Sequence, residues 1–463
     1  MKNNNYNFYL YHTFLYSLLL LLISLCFAFE MISIQIGIIN YMVGIFSMCY
    51  LYHFLFYLPS RFFHKYLYYF LLLGIIYKVL LSFSNPLWED DWSRYLWEGN
   101  LLGYGISPYS NSPDFFFKDG SLTNLVEKET EILSRINHPD WASIYSPVVI
   151  LYFYLCSLVA PFSLIILKLG FICLDIVVFW IIKSIRNKKN AVLFFLFPVL
   201  LKEIYINAHF EMIPIFFFSI SLWFHKKAYR NISSFFYGIA VHSKLYLLVI
   251  FPFFFIRNII DFKNKKIIRK SILPFIAYVL VGIFLPVVIF ELVVQNNSVY
   301  GLDSLLKFSN EFEFNSIYFY ILKLLFNFET AKKLVLVLLS IVSIYSVLNV
   351  EKYFVNFNNG IVWCYTVFMF SLLFSPIVNP WYFLIVVPLY FITNVRLPLI
   401  LLLVLFPQLS YLTKVNLKLK ENQYSGFYTL EENIVLLEIV CITMTILLTI
   451  LNRKKKPRVK PNG

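Results

Sequence analysis

Apolar runs as long as a bilayer is thick recur along the chain. A membrane-spanning helix needs about 20 mostly apolar residues, and 60% of the 463 residues are hydrophobic whereas only 14% are charged. A soluble domain has ~45–50% apolar and ~25% charged residues. The sequence therefore predicts an all-α polytopic membrane protein. The candidate spans are 8–29, 31–58, 67–84, 163–182, 191–207, 211–224, 271–290, 334–350, 361–375, 381–395, 397–412 and 433–452.

Two further apolar stretches do not fit simple crossings. The stretch 232–256 has basic segments at both ends, which predicts two short helices that meet near His242 to Lys244. The stretch 144–159 is followed by Pro161, and we expect a re-entrant or interfacial helix there. Non-helical backbone at membrane depth is tolerated only where protein or a water-filled cavity covers it. We therefore expect a site beside these segments and, with both termini on one side, about 12 to 14 spans.

Basic residues are concentrated in a few short segments. Of the 39 Lys and Arg residues, 21 lie in five segments that contain a single acid, Asp261. The segments are 61–65, 183–189, 226–230, 257–270 and 453–460. They follow the positive-inside rule and are predicted to be cytoplasmic, so the net charge of +14 does not indicate nucleic acid as a partner. The loop 85–141 holds ten acids and four bases and is expected on the outer face.

The densest group of polar residues follows directly after the third apolar run. It spans 88–99 and reads Trp-Glu-Asp-Asp-Trp-Ser-Arg-Tyr-Leu-Trp-Glu-Gly. If Asp91 opens a helix, Arg94, Tyr95 and Glu98 lie on one face of it. On such a helix the side chain of Asp90 would point about 100° away from that of Asp91. A solvated loop helix with acids that cap its N-terminus is the structural alternative, but two adjacent acids beside a bilayer favour a site.

Three motifs in the outer loop carry a resemblance to a known family. They are Asp90-Asp91-x-x-Arg94-Tyr95-x-Trp97-Glu98-Gly99, Gly105-Ile106-Ser107-Pro108-Tyr109 and Ile144-Tyr145-Ser146-Pro147. The chain resembles GT-C type membrane glycosyltransferases, and most of all the bacterial mannosyltransferases that use polyprenyl-phosphate mannose. Shorter matches in the family's order extend the resemblance over residues 67–412. These are Glu203-x5-His209-x-Glu211, Lys244, Phe314-Asn315 and Asn379-Pro380-Trp381-Tyr382.

The resemblance implies transfer of a sugar from a polyprenyl-phosphate carrier to a lipid-linked or glycan acceptor on the outer face of the membrane. An aspartate would take the acceptor's hydroxyl proton while the oxygen attacks the anomeric carbon with inversion. The family spacing assigns this base to Asp91, with Asp90 as the second choice. The residues expected to hold sugar or acceptor hydroxyls are Arg94, Tyr95, Glu98 and Tyr109.

The leaving phosphate needs a cation where its negative charge builds up. Lys244 is the leading candidate, because a lysine inside an apolar hairpin is otherwise unfavourable in lipid; a lysine that snorkels to the interface is the alternative. His209 with Glu203 is expected at the same cavity, and a structural pair is the alternative.

Three more residues are candidates for substrate contacts. His138 in the outer loop could reach the cavity, although a loop histidine is more often structural. Trp381 and Tyr382 could stack on a sugar face, although aromatic residues at an interface usually belong to the aromatic belt.

The predicted domain organisation has three parts. Residues 1–66 form N-terminal membrane spans, 67–412 a GT-C-like transmembrane catalytic module with its outer loop at 85–141, and 413–463 the last outer loop, a C-terminal span and a basic cytoplasmic tail. The six cysteines lie in apolar runs without the spacing of a metal site. No metal ligands are therefore predicted, and a requirement for a divalent cation stays open.

A transporter or flippase of a lipid-linked sugar is the alternative function. Such proteins contain interrupted helices in two related halves, and the chain has no such repeat. An O-antigen ligase or polymerase usually has its large outer loop late in the chain, whereas here it comes early. We therefore expect a multi-pass enzyme in contact with membrane lipids, in a bacterial inner membrane with both termini cytoplasmic.

Overall fold

The architecture is helical, in agreement with the predicted all-α class. The computed structural model describes residues 52, 55–56, 58–86, 89–118, 127–261, 266–294, 303–393, 406–415 and 432–454. Several predicted features lie outside these residues: the span 8–29, most of the span 31–58, Trp88, much of the span 397–412, most of the loop 414–433 and the tail beyond residue 454. The number of 12 to 14 spans and the GT-C fold thus stay predictions.

The described residues in the first half of the chain are mostly helical, and three of their helices lie within 85–141. The described helices of this half are α1 Ser60–Lys65, α2 Leu67–Ser82, α3 Asp91–Gly103, α4 Pro113–Lys118, α5 Glu127–Ser134, α6 Pro147–Val159, α7 Leu164–Ile185, α8 Lys188–Phe195, α9 Pro198–Leu200 with a π-helical turn Leu201–Ile206, α10 Met212–Lys226 and α11 Arg230–Ser243.

The second half continues with further helices and one small strand pair. The helical elements are a 3₁₀ turn Leu245–Ile250, α12 Phe251–Ile259, a 3₁₀ turn Arg269–Ser271, α13 Ile272–Val293, α14 Asp303–Glu311, α15 Ile317–Leu325, α16 Phe328–Leu348, α17 Val350–Tyr353, α18 Phe357–Leu373, a 3₁₀ turn Pro380–Ile385, α19 Val386–Ile392, a 3₁₀ stretch Phe406–Val415 and α20 Glu432–Lys454. The strands β1 Ile260–Asp261 and β2 Lys266–Ile267 pair antiparallel, with Ile260 opposite Ile267.

Three helical segments in the described part of the chain are long and apolar enough to cross a membrane. They are Leu164–Ile185, Arg269–Val293 and Phe328–Leu348. Seven shorter apolar helices accompany them: Leu67–Ser82, Pro147–Val159, Met212–Lys226, Leu245–Ile259, Phe357–Leu373, Pro380–Ile392 and Asn433–Leu447. Lengths and compositions of this kind are compatible with an integral membrane protein.

Polar side chains begin several of these helices. Ser163, Asn187, Asn327 and Asn356 each precede a helix and accept a hydrogen bond from the backbone N–H three residues later. Such caps satisfy backbone donors that have no partner inside the helix. They explain why α7, α8, α16 and α18 start where they do.

Helices α11 and α13 cross with their backbones almost in contact. A Cβ atom on Gly238 would lie 2.2 Å from the carbonyl oxygen of Val279, and one on Gly282 would lie 2.1 Å from that of Phe235. Glycine is therefore required at both positions, as is common where helices approach closely in membranes. The end of α11, and with it Lys244, lines the same cavity as the C-terminal half of α13.

Two interruptions in the helices place the polar residues of the site. At Lys244 the backbone is extended, with φ −152° and ψ 113°, between α11 and the following 3₁₀ turn; this agrees with the predicted break near His242 to Lys244. The predicted span 191–207 is not a single helix, because α8 ends at Phe195 and a short helix from Pro198 leads into the π-helical turn. Proline has no N–H to donate and crowds the preceding turn, which favours a break in the helix just before Pro198.

Candidate functional site

In the described part of the chain, a cavity of about 1620 Å³ joins the segment 85–141 to the break at Lys244. Its polar end is lined by Glu89, Asp90, Asp91 and Arg94 at the start of α3, together with Asn137. Its other walls are largely apolar and come from α13, α16 and the 3₁₀ turn after Lys244; they include Leu248, Phe284, Val287, Leu336 and Leu339. The cavity can thus hold a molecule with a polar head and an apolar chain.

The two aspartates predicted as base candidates lie side by side at the polar end. The Asn137 side chain donates from Nδ2 to Asp90 Oδ1 at 2.8 Å and to Asp91 Oδ1 at 3.2 Å. Asp90 precedes the helix with φ −124° and ψ −7°, so its side chain does not follow the helical spacing. The expectation that Asp90 points away from Asp91 is therefore wrong, since a single amide holds both carboxylates.

Arg94 connects α3 to the segment 137–141 that lines the cavity. Its guanidinium donates to the carbonyl oxygens of Trp141 at 3.1 Å, Asn137 at 2.9 Å and His138 at 2.8 Å. Arg94 is buried, although it reaches the cavity wall. These contacts fix the loop that carries Asn137, so Arg94 positions the two aspartates through that residue.

Glu98 lies one turn further along α3, outside the cavity lining. Its Oε2 accepts a hydrogen bond from the Ser143 hydroxyl at 2.7 Å, and its Oε1 is 3.5 Å from Arg94 Nη1. Burial raises the pKa of Glu98 to about 7, and Arg94 and Ser143 oppose that shift. Glu98 therefore helps to hold Arg94 and Ser143 in place without lining the cavity.

Tyr95 belongs to an aromatic cluster between the two ends of the site. Its ring stacks on Phe153 at 4.7 Å between centroids and meets Tyr145 and Phe210 edge-on at 5.2 and 5.6 Å. Burial and the neighbouring Tyr145 raise the pKa of Tyr95 well above its usual range, and the charges of Asp91 and Glu211 add to the shift. Tyr95 is thus close enough to Asp91 and Glu211 for their charges to affect its pKa, although it does not line the cavity.

The remaining outer-loop candidates lie at the cavity wall. The Tyr109 hydroxyl donates to the Tyr145 carbonyl at 2.6 Å. His138 has a positive φ of 47°, and its ring stacks on Trp141 at 4.8 Å between centroids. Burial lowers the pKa of His138. Tyr109, His138 and Trp141 all line the cavity, so they form part of its rim.

Lys244 lines the cavity and pairs with Glu211, which lies just before α10. Its ammonium also faces three rings, at 4.3 Å from the centroid of Tyr382, 4.7 Å from that of Phe210 and 5.5 Å from that of Tyr246. Such rings attract a cation through their negative faces. Lys244 therefore does not extend into lipid, and it is held at the cavity wall by one carboxylate and three aromatic rings.

His209 and Glu203 lie behind the cavity wall and do not line it. Both are fully buried, with His209 Nε2 3.5 Å from Glu203 Oε2. The His209 ring stacks on Trp381 at 3.6 Å between centroids, and Trp381 and Tyr382 do line the cavity. His209 thus supports one face of Trp381, a role that fits the structural alternative for this pair.

A second polar cluster surrounds Glu203 and was missed by sequence reasoning. Lys202 donates from Nζ to Glu203 Oε1 at 2.8 Å and to Gln408 Oε1 at 3.3 Å, and the Tyr411 hydroxyl is 3.3 Å from Glu203 Oε2. These residues come from the π-helical turn and from a segment about 200 positions later, so no local spacing could connect them. The π-helical turn itself is a geometry that often occurs at functional sites.

Among the described residues, no group of three or more His, Cys, Asp or Glu side chains could hold a metal ion. Comparisons of the chain with protein-family models, with curated proteins and with solved structures gave no match.

Proposed function

We propose that this protein is an integral-membrane glycosyltransferase of the GT-C type that moves a sugar, mannose by resemblance, from a polyprenyl-phosphate carrier to a lipid-linked or glycan acceptor on the outer face of a bacterial inner membrane. The observation that supports this most directly is the cavity itself. It contains the carboxylates of Asp90 and Asp91 beside that of Glu89 at its polar end, a lysine further in and an apolar wall. These are the three features that an acceptor hydroxyl, a phosphate and a polyprenyl chain require.

The two aspartates supply the base at the acceptor end. As the acceptor oxygen forms its bond to the anomeric carbon, its proton passes to Asp91, and the bond from that carbon to the phosphate oxygen breaks. A general base must lie within hydrogen-bond reach of the proton that it takes. Asn137 donates a hydrogen bond to one oxygen of each aspartate. These bonds orient the carboxylates, and the donating amide group does not itself accept a proton.

Lys244 supplies the positive charge at the leaving group. The phosphate departs with the bonding electron pair, and a cation that faces it lowers the barrier because the charge grows in the transition state. The apolar chain of the donor extends along α13 and α16, where Phe284 is 57% exposed and Leu336 is 64% exposed. Side chains with this much exposed apolar surface suit contact with lipid or with a prenyl chain.

The test uses membranes that contain the protein and radiolabelled polyprenyl-phosphate sugars, with separation of the labelled products. Asp91→Asn should lower transfer by about 100- to 10,000-fold, because the amide keeps the contact with Asn137 but accepts no proton. Glu131→Gln is the matched control, since Glu131 is an exposed acid of the same outer loop that pairs only with exposed Arg135.

Asp90→Asn tests which of the two carboxylates acts as the base. Retained activity in Asp91→Asn combined with loss in Asp90→Asn moves the base by one residue. Activity that survives both substitutions removes the mechanism. Movement of intact donor across the membrane without a labelled product favours the flippase alternative.

A further inference from the structure

Lys244 and Glu211 form an ion pair in which the lysine lines the cavity and the glutamate does not. Lys244 donates a hydrogen bond to Glu211 Oε1; the Lys244 side chain is 12% exposed, whereas that of Glu211 is fully buried. Glu211 Oε2 has no hydrogen-bond partner among the residues that the structure describes. A ligand in the cavity can therefore reach the ammonium but not the carboxylate that balances it.

The surroundings of Glu211 contain little else that compensates its charge. The charged and titratable groups that face it are Lys244, Glu203, Tyr95, Tyr246 and Tyr382. Lys244 is the only cation in this set, and Glu203 is itself an acid that pairs with Lys202. The Glu211 side chain is fully buried, and its carboxylate accepts a hydrogen bond from the Lys244 ammonium.

An anion that binds at Lys244 changes this balance. One ammonium would then face two negative groups, the ligand phosphate and the Glu211 carboxylate, in a place where water is largely excluded. Two like charges that share a buried site disfavour ionisation of the weaker acid. A phosphodiester is a strong acid and stays charged, so the carboxylate is the group that takes up a proton.

We propose that Glu211 is a positioning residue that holds Lys244 in the empty cavity and takes up one proton when the phosphate of the donor binds to Lys244. This inference rests on the proposed function, because it requires a phosphate-linked donor at that lysine. Protonation leaves Lys244 free to face the phosphate and keeps the total charge of the buried group unchanged. Donor binding then weakens as the pH rises, by up to about tenfold per pH unit wherever Glu211 is ionised in the unbound protein.

Titration calorimetry on the purified full chain in detergent measures this coupling. The probe is farnesyl phosphate mannose, a phosphodiester that does not titrate in the range used. Binding is measured between about pH 5 and pH 8 in pairs of buffers with different ionisation enthalpies, so that the number of protons taken up is obtained directly. We expect uptake of about one proton at the upper end of this range and almost none at the lower end.

Two variants separate Glu211 from other groups. Glu211→Gln should bind the probe at least as tightly at the highest pH, without proton uptake and without a pH dependence. Glu131→Gln is the matched control, because Glu131 is an exposed acid of the outer loop that pairs with Arg135 and not with Lys244. This control should retain the proton uptake of the unaltered protein.

Each outcome bears on a different claim. Lys244-dependent binding without proton uptake in the unaltered protein overturns the inference and leaves the proposed function intact. Retained uptake in Glu211→Gln overturns it as well, as does a loss of affinity in that variant at every pH, since Glu211 would then only anchor the lysine. If Glu211→Gln does not fold, the proton count of the unaltered protein still decides. No binding of the probe at any pH removes the proposed function together with the inference.

Discussion

Among the lysines that pair with buried acids in the described part of the chain, Lys78 and Lys244 have very different surroundings. Lys78 on α2 lies 2.5 Å from Asp175 Oδ2 on α7, and both side chains are fully buried. Lys244 pairs with fully buried Glu211 but opens onto the cavity. The same kind of pair therefore differs in its surroundings: the Lys78 pair joins two helices, whereas the Lys244 pair presents a charge to the cavity.

The partners around each lysine reinforce this difference. The Tyr205 hydroxyl donates to Asp175 Oδ2 at 2.7 Å, and the Lys78 ammonium lies 2.9 Å from the ring centroid of Phe195. The Lys78 site is thus closed on several sides by protein. A buried ion pair of this kind contributes little net stability compared with apolar residues, but breaking it is strongly destabilising because one charge is left behind.

Lys78→Ala should have the largest effect on folding. The substitution leaves Asp175 buried without its cation, and we expect a loss of about 3–5 kcal/mol in unfolding free energy. Thermal unfolding of the purified protein in detergent measures it. The double variant Lys78→Met with Asp175→Leu is the control and should be close to neutral. If the single and double variants unfold alike, Lys78 and Asp175 are not a coupled pair.

Lys244→Met combined with Glu211→Gln should leave the fold nearly intact and weaken donor binding, because no buried carboxylate then loses its cation. Methionine keeps the length and the contacts with the aromatic rings, whereas a charge-assisted phosphate contact is worth about 1.5–3 kcal/mol, which corresponds to roughly ten- to a hundredfold in affinity. Both binding and transfer rate should fall, because a phosphate partner acts in the ground state and the transition state. Unchanged affinity for the phosphate-linked donor would place the phosphate elsewhere in the cavity.

Tyr205→Phe should lower the unfolding free energy by about 1.5 kcal/mol, because it removes one hydrogen bond to the buried carboxylate of Asp175. Tyr246→Phe is the corresponding variant beside Lys244 and Glu211. The Tyr246 hydroxyl is buried and has no hydrogen-bond partner in the described part of the chain, so its removal should change the unfolding temperature very little. Equal losses in the two variants would contradict the difference between the sites.

Glu98→Gln should act on the pH dependence of stability. Since the pKa of Glu98 is raised to about 7 from 4.5, the folded protein keeps a proton that the unfolded chain releases, and stability falls as the pH rises through that window. The slope for one group is at most about 1.4 kcal/mol per pH unit. Unfolding temperatures measured across the window should fall less steeply in the variant. An identical slope would assign the dependence to other groups.

Much of the local structure could be predicted from the sequence. The long apolar runs predicted helices, and the basic residues around 232–256 predicted the break at Lys244. The break within the predicted span 191–207 was missed, although Pro198 is a helix-breaking signal in the sequence. Periodicity reports which residues are apolar, and it does not report where a helix changes its winding.

The partners of the site residues were less accessible to sequence reasoning. Asp90 and Asp91 were found from their motif, but Asn137, which holds both, lies 46 positions beyond Asp91. Glu211 is 33 positions from Lys244. Glu203 and Tyr411 are 208 positions apart, and nothing in their local spacing connects them. Such pairs form only when distant helices pack, so a single sequence shows the candidates without their contacts.

What the sequence by itself determined is the helical class, the order of the elements and the residue types that could carry chemistry. These follow from hydrophobicity and local backbone preference, which act over a few neighbouring residues. The tertiary structure alone decided that Arg94 holds the loop of Asn137, that His209 supports Trp381 and that Lys244 shares its charge with Glu211. Burial and electrostatic pairing depend on which distant segments meet, because the energy of a charge is set by its three-dimensional surroundings.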